Sequence, residues 1–425
     1  MPRAKAPVEN RFAIDGRVPE RILEPASEEE LASQVCDATA AGFGVVPVGG
    51  GTLLGIGNPP RRYDVALSTA RLDAVHVYDH RDLTIGVGAG LSVARLTATL
   101  AGHRQFVPLD APRAAQATVG GTLAAGWLGP RRAKYGRPRD LVIGTTVALA
   151  DGTLAHAGGM VVKNVSGYDV SKLYVSSLGT LGVIVRANFK ALPMPAVFRL
   201  AVAPLPEGTR ARAAAHVQTL DVEPSVALLV DGFRETLPFA LGIDGAIVLA
   251  FEGSEAGVER ATRSMRSALG SAGVPETRIV DAAAGATFAR ILDAYVASIP
   301  DRSLTLRALG LPDAALARET AAREAIAPTA ALLDTIVDLR NGDLIARVFV
   351  DGKLDRVAVR GTLSDALAAL RERIPDATLL ARGLVIDGEI DAWATLPQAL
   401  DVMRALKARF DPRGTLAPGR FLGGI

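Results

Sequence analysis

Pro47-Val48-Gly49-Gly50-Gly51-Thr52 follows the short apolar run Phe43 to Val48 and ends it abruptly. Three successive glycines behind a predicted strand let the main chain turn sharply and aim several N–H groups at one point. Such a concavity binds phosphate oxygens without needing a lysine. The bland reading of the same residues is a tight turn. Two common nucleotide loops do not fit: Leu54 stands where a Rossmann G-x-G-x-x-G needs its last glycine, and no Gly-Lys-Ser/Thr follows.

Working outward, Ser27 and Glu30 form a capping box, Leu31, Val35 and Ala38 recur at helical spacing, and Gly42 ends that helix. Asp64 to Leu67, Ala74 to Tyr78 and Leu83 to Val87 read as strands, and Val93 to Leu100, behind Ser92, as a helix. Ala111 to Gly144 then loses both periodicities, as long ligand-serving segments do. Inside it, Thr118-Val119-Gly120-Gly121-Thr122-Leu123-Ala124-Ala125-Gly126 offers small residues and a hydroxyl. A pyrophosphate or flat ring could approach that main chain closely; alternatively it is a helix N-terminus packed on a sheet. Asp151-Gly152 joins Thr146 to Leu149 and Thr153 to His156 in a hairpin expected to have a type I′ turn. Val162 to Leu173 reads as a loop opening into a helix. Either Asp169 caps that helix with Tyr168 packed at its base, or Lys163 or Tyr168 faces a cofactor.

Pro193 and Pro195 mark a boundary. Beyond it the predicted order is strand (Phe198 to Ala203), helix (Thr209 to Leu220), strand (Ser225 to Val230), strand (Ala246 to Phe251), helix (Ser254 to Leu269) and strand (Arg278 to Asp281). This βαββαβ order suggests a ferredoxin-like layer. Asp313 to Leu333 reads as added helices, Asp343 to Val350 and Asp355 to Arg360 as a strand pair, and Leu396 to Phe410 as a last helix, with no internal repeat.

Composition narrows the function. The 425 residues suit two or three domains. Lys plus Arg is 47 against 45 for Asp plus Glu, without a block of five like charges, which disfavours nucleic acid and polybasic membrane attachment. The one cysteine, Cys36, cannot supply the roughly four thiolates of an iron-sulfur cluster. Met1 to Asn10 lacks the apolar core of a signal peptide, and the uncharged run Ala38 to Pro60 carries too many glycines and prolines to span a bilayer. The expected location is cytoplasmic, with contact to the inner membrane only through partners.

These residues resemble the FAD-binding domain shared by vanillyl-alcohol oxidase and p-cresol methylhydroxylase. Five segments carry the resemblance: Pro47 to Thr52; Thr118 to Gly126 with Tyr135-Gly136 and Arg139-Asp140; Gly159 to Leu173; Leu178-Gly179-Thr180-Leu181-Gly182-Val183-Ile184; and Phe410-Asp411-Pro412-Arg413-Gly414 to Pro418-Gly419-Arg420. Val162-Lys163-Asn164 with Gly167-Tyr168-Asp169 is most similar to the FAD-binding subunit of glycolate oxidase. The resemblance implies an α+β fold: a two-part FAD-binding domain of the p-cresol methylhydroxylase type and a ferredoxin-like α+β cap domain. The expected division is a tail at 1–16, the FAD-binding domain at 17–195, the substrate or cap domain at 196–400 and a segment returning to the FAD domain at 401–425.

By the same resemblance Pro47, Val48, Gly49, Gly50, Gly51 and Thr52 hold the FAD pyrophosphate, Thr118, Gly120, Gly121, Thr122, Ala125 and Gly126 lie along it, and Gly182, Val183 and Ile184 pass near the flavin. Gly51 stands where covalent relatives place a flavin-linking histidine, so FAD is expected to bind non-covalently. Relatives that oxidise D-2-hydroxy acids carry histidines and an acidic residue in the substrate domain, but the histidines here are His76, His80, His103, His156 and His216, with none after 216. Leu178 replaces a frequent glutamate and Ala417 a frequent asparagine. Arg340, Arg347 and Arg382 could pair with a carboxylate but read as solvated surface residues. No catalytic residue and no metal ligand is assigned.

The leading expectation is the FAD-carrying subunit of a glycolate oxidase type complex. A second flavoprotein subunit would oxidise a small 2-hydroxy acid, glycolate or D-lactate, and an iron-sulfur subunit would take the electrons. The alternatives are a self-sufficient FAD-dependent 2-hydroxy acid dehydrogenase and a non-catalytic scaffold of the same fold. The flavin-dependent reductase of peptidoglycan precursor synthesis shares a similar glycine loop, but the Gly167-Tyr168-Asp169 context resembles the hydroxy-acid branch.

Overall fold

Ser27 starts the first helix as its capping-box spacing predicts: its Oγ accepts from the Glu30 amide at 3.1 Å. The reciprocal arm is displaced by one residue, since Glu30 Oε2 accepts from the Ala26 amide at 2.6 Å. A computed structural model describes residues 10–161, 168–281, 283–299, 302–352, 354–383 and 390–425. The chain divides into two compact units. Met1–Leu128, Gly136–Met194 and Asp387–Ile425 form one, and Gly129–Tyr135 with Pro195–Ile386 the other.

Through the first unit and its short excursion the order is β1 (Arg21–Leu23), α1 (Glu28–Ala40), β2 (Val45–Val48), β3 (Val65–Ser68), β4 (Val75–Asp79), β5 (Thr84–Gly88), α2 (Val93–Ala101), β6 (Gln105–Phe106), α3 (Val119–Ala124), α4 (Arg132–Tyr135), α5 (Pro138–Leu141), β7 (Val142–Ala148), β8 (Leu154–Gly158), α6 (Ser171–Tyr174), β9 (Val183–Lys190) and β10 (Leu192–Pro193). Two sheets dominate: a parallel one in the order β1-β3-β2 and an antiparallel one in the order β4-β5-β9-β7-β8. Leu31 and Val35 of α1 share a core with Val45, Leu67 and Val183, whereas Leu96 of α2 and Leu123 of α3 pack with Ile85, Val87 and Phe189. The period-3.6 and period-2 patterns thus bury the faces they mark.

Two local expectations are corrected here. In the β7–β8 hairpin Gly152 has positive φ (82°) but Asp151 does not, so the turn is not type I′. Instead the Leu149 and Thr153 positions close a three-residue loop, with the Leu149 amide donating to Thr153 O at 2.9 Å and Asp151 Oδ1 accepting from the Thr153 amide at 2.9 Å. Asp169 does not cap α6; it pairs with Lys172 at 3.0 Å, and Tyr168 is 95% exposed rather than packed. Val162, Lys163, Asn164, Val165, Ser166 and Gly167 lie outside the described residues.

The second unit runs β11 (Val197–Pro204), α7 (Arg210–Gln218), β12 (Val226–Asp231), β13 (Ala246–Gly253), α8 (Glu255–Ser271), β14 (Arg278–Ile279), α9 (Ala284–Ala294), β15 (Ser303–Ala308), α10 (Ala315–Ile326), β16 (Leu332–Asp338), β17 (Leu344–Phe349), α11 (Arg356–Arg373) and β18 (Thr378–Arg382), with α12 (Leu400–Phe410) back in the first unit. Its eight-stranded sheet has the order β14-β11-β13-β12-β16-β17-β15-β18. Read from β11, the first four strands stand 4-1-3-2 and the next four, from β15, stand 2-3-1-4. Two βαββαβ modules are therefore joined edge to edge through β12 and β16, which corrects the reading that the chain has no internal repeat. Asp355 to Arg360, expected as a strand, opens α11: Asp355 Oδ1 accepts from the Val357 and Ala358 amides at 2.9 and 2.8 Å.

Arg347 is also not a surface residue. It is among the largest fully buried side chains, donating from Nε to Asp334 Oδ2 at 2.9 Å, ion-paired to Glu235, and lying 4.5 Å from the Phe233 ring centre. Burial pushes the Asp334 carboxyl up in spite of that partner.

Candidate functional site

β2 delivers Val46 and Pro47 to the rim of a cleft inside the first unit. The cleft is lined by Val46, Pro47, Gly49, Gly50, Gly51, Thr52, Leu53, Leu54, Thr118, Gly121, Ala124, Ala125, Leu178 and Arg420. The fold thus brings the glycine loop and the Thr118 segment to one place. Among the described residues, the amides of Gly49, Gly50, Gly51 and Thr52 donate to no protein acceptor. Four successive amides left by the protein at a concavity are what an oxyanion needs.

The three glycines are also demanded by packing. A Cβ on Gly49 would overlap Thr118 Oγ1, one on Gly50 would overlap the Gln116 carbonyl oxygen, and one on Gly51 (φ 73°) would come within 2.8 Å of Arg11 O. A bulky residue at Gly50 therefore disturbs the fold and the cleft together. It cannot separate a cofactor-binding role from a folding role.

The Thr118 segment contributes differently. Thr118 caps α3, its Oγ1 accepting from the Gly121 amide at 3.2 Å, while the Val119 and Gly120 amides donate to Leu91 O and Ala89 O at 2.9 and 2.8 Å. The first amides of this short helix are all taken by protein, and its share of the cleft is the small surface of Gly121, Ala124 and Ala125. Gly120 is pressed against Ala89, and Thr122 is buried with its hydroxyl on Thr118 O at 2.8 Å. Gly126 (φ 61°) abuts Ser176. Val48, Val183 and Ile184 are core residues, and a Cβ on Gly182 would meet Val147, so these positions support the cleft without lining it.

The chain's last residues complete the site. Val45 N donates to Thr415 O at 2.8 Å and Ala417 N to Val45 O at 2.7 Å, so this segment runs parallel beside β2. Its anchor is Asp411, buried, whose Oδ2 accepts from the Leu416 amide at 2.7 Å and from Lys407 Nζ at 2.6 Å. Lys407 and the two amides of Thr415 and Leu416 hold the Asp411 carboxyl below its usual range, whereas burial lowers Lys407. Arg413 Nη1 donates to Thr39 O and Ala40 O, each at 3.1 Å, at the C-terminus of α1. Arg420, 3% exposed, donates to Leu54 O at 2.9 Å, Ile56 O at 2.7 Å and Asn58 O at 3.3 Å.

Leu178 (φ 54°) and Ala417 (φ 44°), the two departures noted in the sequence, both sit in left-handed backbone. Asparagine tolerates that region better than alanine does. Sequence reasoning left Leu53, Leu54, Leu178 and Arg420 out of the site; only the placement of Leu178 and Arg420 within quoted motifs hinted at them.

The histidines stay away from the cleft's lining. His80 and His103 stack at 4.2 Å, His156 Nδ1 lies 3.0 Å from Thr146 Oγ1, His76 lies 3.7 Å from Glu28 with its pKa lowered by burial, and His216 is half-buried with Nδ1 2.9 Å from Arg212 O. Among the described residues no group of three His, Cys, Asp or Glu could hold a metal ion, and no helix is long and apolar enough to cross a membrane.

Comparison with known proteins agrees with this geometry. The FAD binding domain family matches residues 19–158. Glycolate oxidase subunit GlcD of Bacillus subtilis is 31% identical over 178 residues, 42% of this chain and 38% of that protein. D-lactate dehydrogenase of Archaeoglobus fulgidus is 31% identical over 220 residues, 52% and 46% respectively, and glycolate oxidase subunit GlcE of Escherichia coli 40% identical over 119 residues, 28% and 34%. The chain thus spans less than half the length of these relatives. In structure it is similar to alkyldihydroxyacetonephosphate synthase (TM-score 0.68, 16% identity, 94% of this chain and 77% of that one) and to 4-ethylphenol oxidase from Gulosibacter chungangensis (TM-score 0.67, 16% identity, 94% and 88%). The chain has a mixed α+β fold like that of these two solved structures, and its residues 19–158 match the FAD binding domain family.

Proposed function

We propose that this chain is the FAD-carrying subunit of a glycolate oxidase type complex. In that complex a second flavoprotein oxidises a small 2-hydroxy acid, glycolate or D-lactate, and electrons pass on to an iron-sulfur subunit. The observation that carries the proposal is the cleft itself: four amides, Gly49 to Thr52, with no acceptor among the described residues, line the same cleft as the small residues Gly121, Ala124 and Ala125. These residues fit a diphosphate, and the site residues of the sequence reading that line the cleft would hold it non-covalently. Bound FAD supplies an acceptor for two electrons that can be passed on singly. The chain's own part is to grip the diphosphate with main-chain dipoles, which need no reorganisation on binding, and to wall the cleft with Leu53, Leu54 and Leu178.

Two sequence facts favour a subunit over a self-sufficient enzyme. The second unit's one histidine, His216, lies on α7 with Nδ1 2.9 Å from Arg212 O, and none follows it, so no second imidazole accompanies it there, and one cysteine cannot hold a cluster. Relatives named as glycolate oxidase subunits GlcD and GlcE support a multi-subunit setting. The residues expected near the flavin at Gly182 to Ile184, the domain limits and attachment to the inner membrane through partners belong to the same proposal.

The test is to purify the chain alone and record its absorbance spectrum and its glycolate- and D-lactate-dependent dye reduction. A yellow protein that is inactive alone and gains activity with a second flavoprotein and an iron-sulfur protein is expected. Full activity alone selects the dehydrogenase, and a colourless protein that cannot be reconstituted with FAD selects the scaffold.

A further inference from the structure

Arg420 sits at the back of the cleft, and its guanidinium serves one turn three times, at the carbonyls of Leu54, Ile56 and Asn58. Its main chain is fixed by the same neighbourhood. Arg420 O accepts from the Asn58 amide at 2.9 Å and from Trp393 Nε1 at 3.0 Å, and Gly57 (φ 86°) has no room for a Cβ because Arg420 O would lie 2.6 Å from it. The 54–58 turn is therefore clasped between the side chain and the backbone of one residue from the far end of the sequence. That turn continues directly from the amides of Gly49 to Thr52.

A planar guanidinium that gathers three carbonyls neutralises the oxygens of this turn, and as part of the lining it places a positive charge in the cleft wall. Both effects favour a diphosphate: carbonyl dipoles that would repel it are sequestered, and the field at the amides is made more positive. We infer that Arg420 is a positioning residue for the diphosphate, acting through the Leu54–Asn58 turn. This rests on the FAD reading of the cleft and adds to it a residue with a stated role. Lysine cannot replace it, since an ammonium is a point donor without the fork that spans three oxygens.

The experiment titrates the full-length chain by calorimetry with two probes, FAD and ADP, which share the diphosphate and differ in the flavin. R420K is expected to bind both at least about tenfold more weakly, the scale of one lost charge-assisted hydrogen-bond set, at a temperature where circular dichroism shows it folded. R420M is expected to do the same with a shallower dependence on salt. A role confined to fold stability would lower the melting midpoint and leave both affinities of the folded protein unchanged, and R420K binding both ligands within about twofold of wild type overturns the inference while the FAD reading stands. Wild-type protein that binds neither ligand overturns the reading and the inference with it. Should the Arg420 variants not fold, W393F decides: it keeps the guanidinium and removes the indole N–H that fixes Arg420 O. A loss of about threefold or more on both probes supports the clasp, and unchanged affinities refute it.

Discussion

Gly50 and Gly121 both line the cleft, and the structure separates what each does. A Cβ on Gly50 would overlap the carbonyl oxygen of Gln116 and lie 2.6 Å from its carbon and 3.3 Å from Ala117 N. Those atoms belong to main chain held by the Gln116 and Ala117 amides on Arg113 O at 2.8 and 2.9 Å, so no rotamer change relieves the clash. Overpacking against backbone costs about 3 kcal/mol or more. At roughly 2 to 4 °C per kcal/mol, Gly50→Ala is expected to melt roughly 6 to 12 °C below wild type. At Gly121 a Cβ would lie 3.0 Å from Thr118 Oγ1 and 4.0 Å from Gly49 Cα. Helical alanine is favoured over glycine by about 0.5 to 1 kcal/mol, so Gly121→Ala is expected to melt within about 2 °C of wild type. Its methyl nevertheless stands on the cleft floor and should weaken FAD by about tenfold or more, which is about 1.4 kcal/mol. Differential scanning fluorimetry with and without FAD reads both effects, since FAD at a hundredfold excess over its Kd adds about 2.7 kcal/mol to wild type. A Gly121→Ala protein that gains as much from FAD as wild type, or a Gly50→Ala protein that melts with it, refutes the reasoning.

Three further outcomes are expected. Arg347→Met leaves Asp334 buried without its guanidinium and should cost about 3 to 5 kcal/mol in chemical denaturation, largely recovered when Asp334 is replaced by leucine in the same chain. Asp338 is wholly buried and its carboxyl is pushed up to about 6, chiefly by that burial. The folded state therefore holds a proton that the unfolded state has released, and stability from this group falls as pH rises from about 4 to 6; Asp338→Asn should abolish that slope in denaturation curves taken across the window. Asp411→Ala leaves half-buried Lys407 with only the carbonyls of Thr180 and Leu416 and frees the Thr415 and Leu416 amides. A loss of about 3 to 5 kcal/mol is expected, with limited proteolysis now cutting within the last fifteen residues.

The elements that sequence reading placed well are those with local causes. Ser27, Ser92 and Ser254 each cap a helix, and the apolar periods behind them decide a face without reference to the rest of the chain. The second ferredoxin-like module escaped because its strands are polar on a buried face. Ser303, Thr305 and Arg307 alternate along β15, and Arg347 and Asp334 face each other on β17 and β16. Ser303 and Thr305 donate to the nearby carbonyls of Ile299 and Ala297, while Arg307 and Arg347 pair with Asp343 and Asp334 on other segments, so a scan for apolar alternation sees only surface. Arg-Val-Ala-Val-Arg at 356–360 alternates like a strand, and the Asp355 cap that makes it a helix went unweighed. In the cleft, the glycine loop was visible as a composition anomaly, while Arg420 was not, because one arginine carries no periodic signal and its meaning lies in three carbonyls more than 360 residues away.

Thr415 and Ala417 pair with Val45, so one wall of the cleft and its closing edge come from segments far apart in the sequence, the first made long before the second. Closing so long a loop is slow, and a growing chain still on the ribosome holds the glycine turn without its clasp. The cleft is therefore completed only once that later segment has been made. Chains ending before Thr415 should leave β2 presenting an unpaired edge to chaperones and proteases.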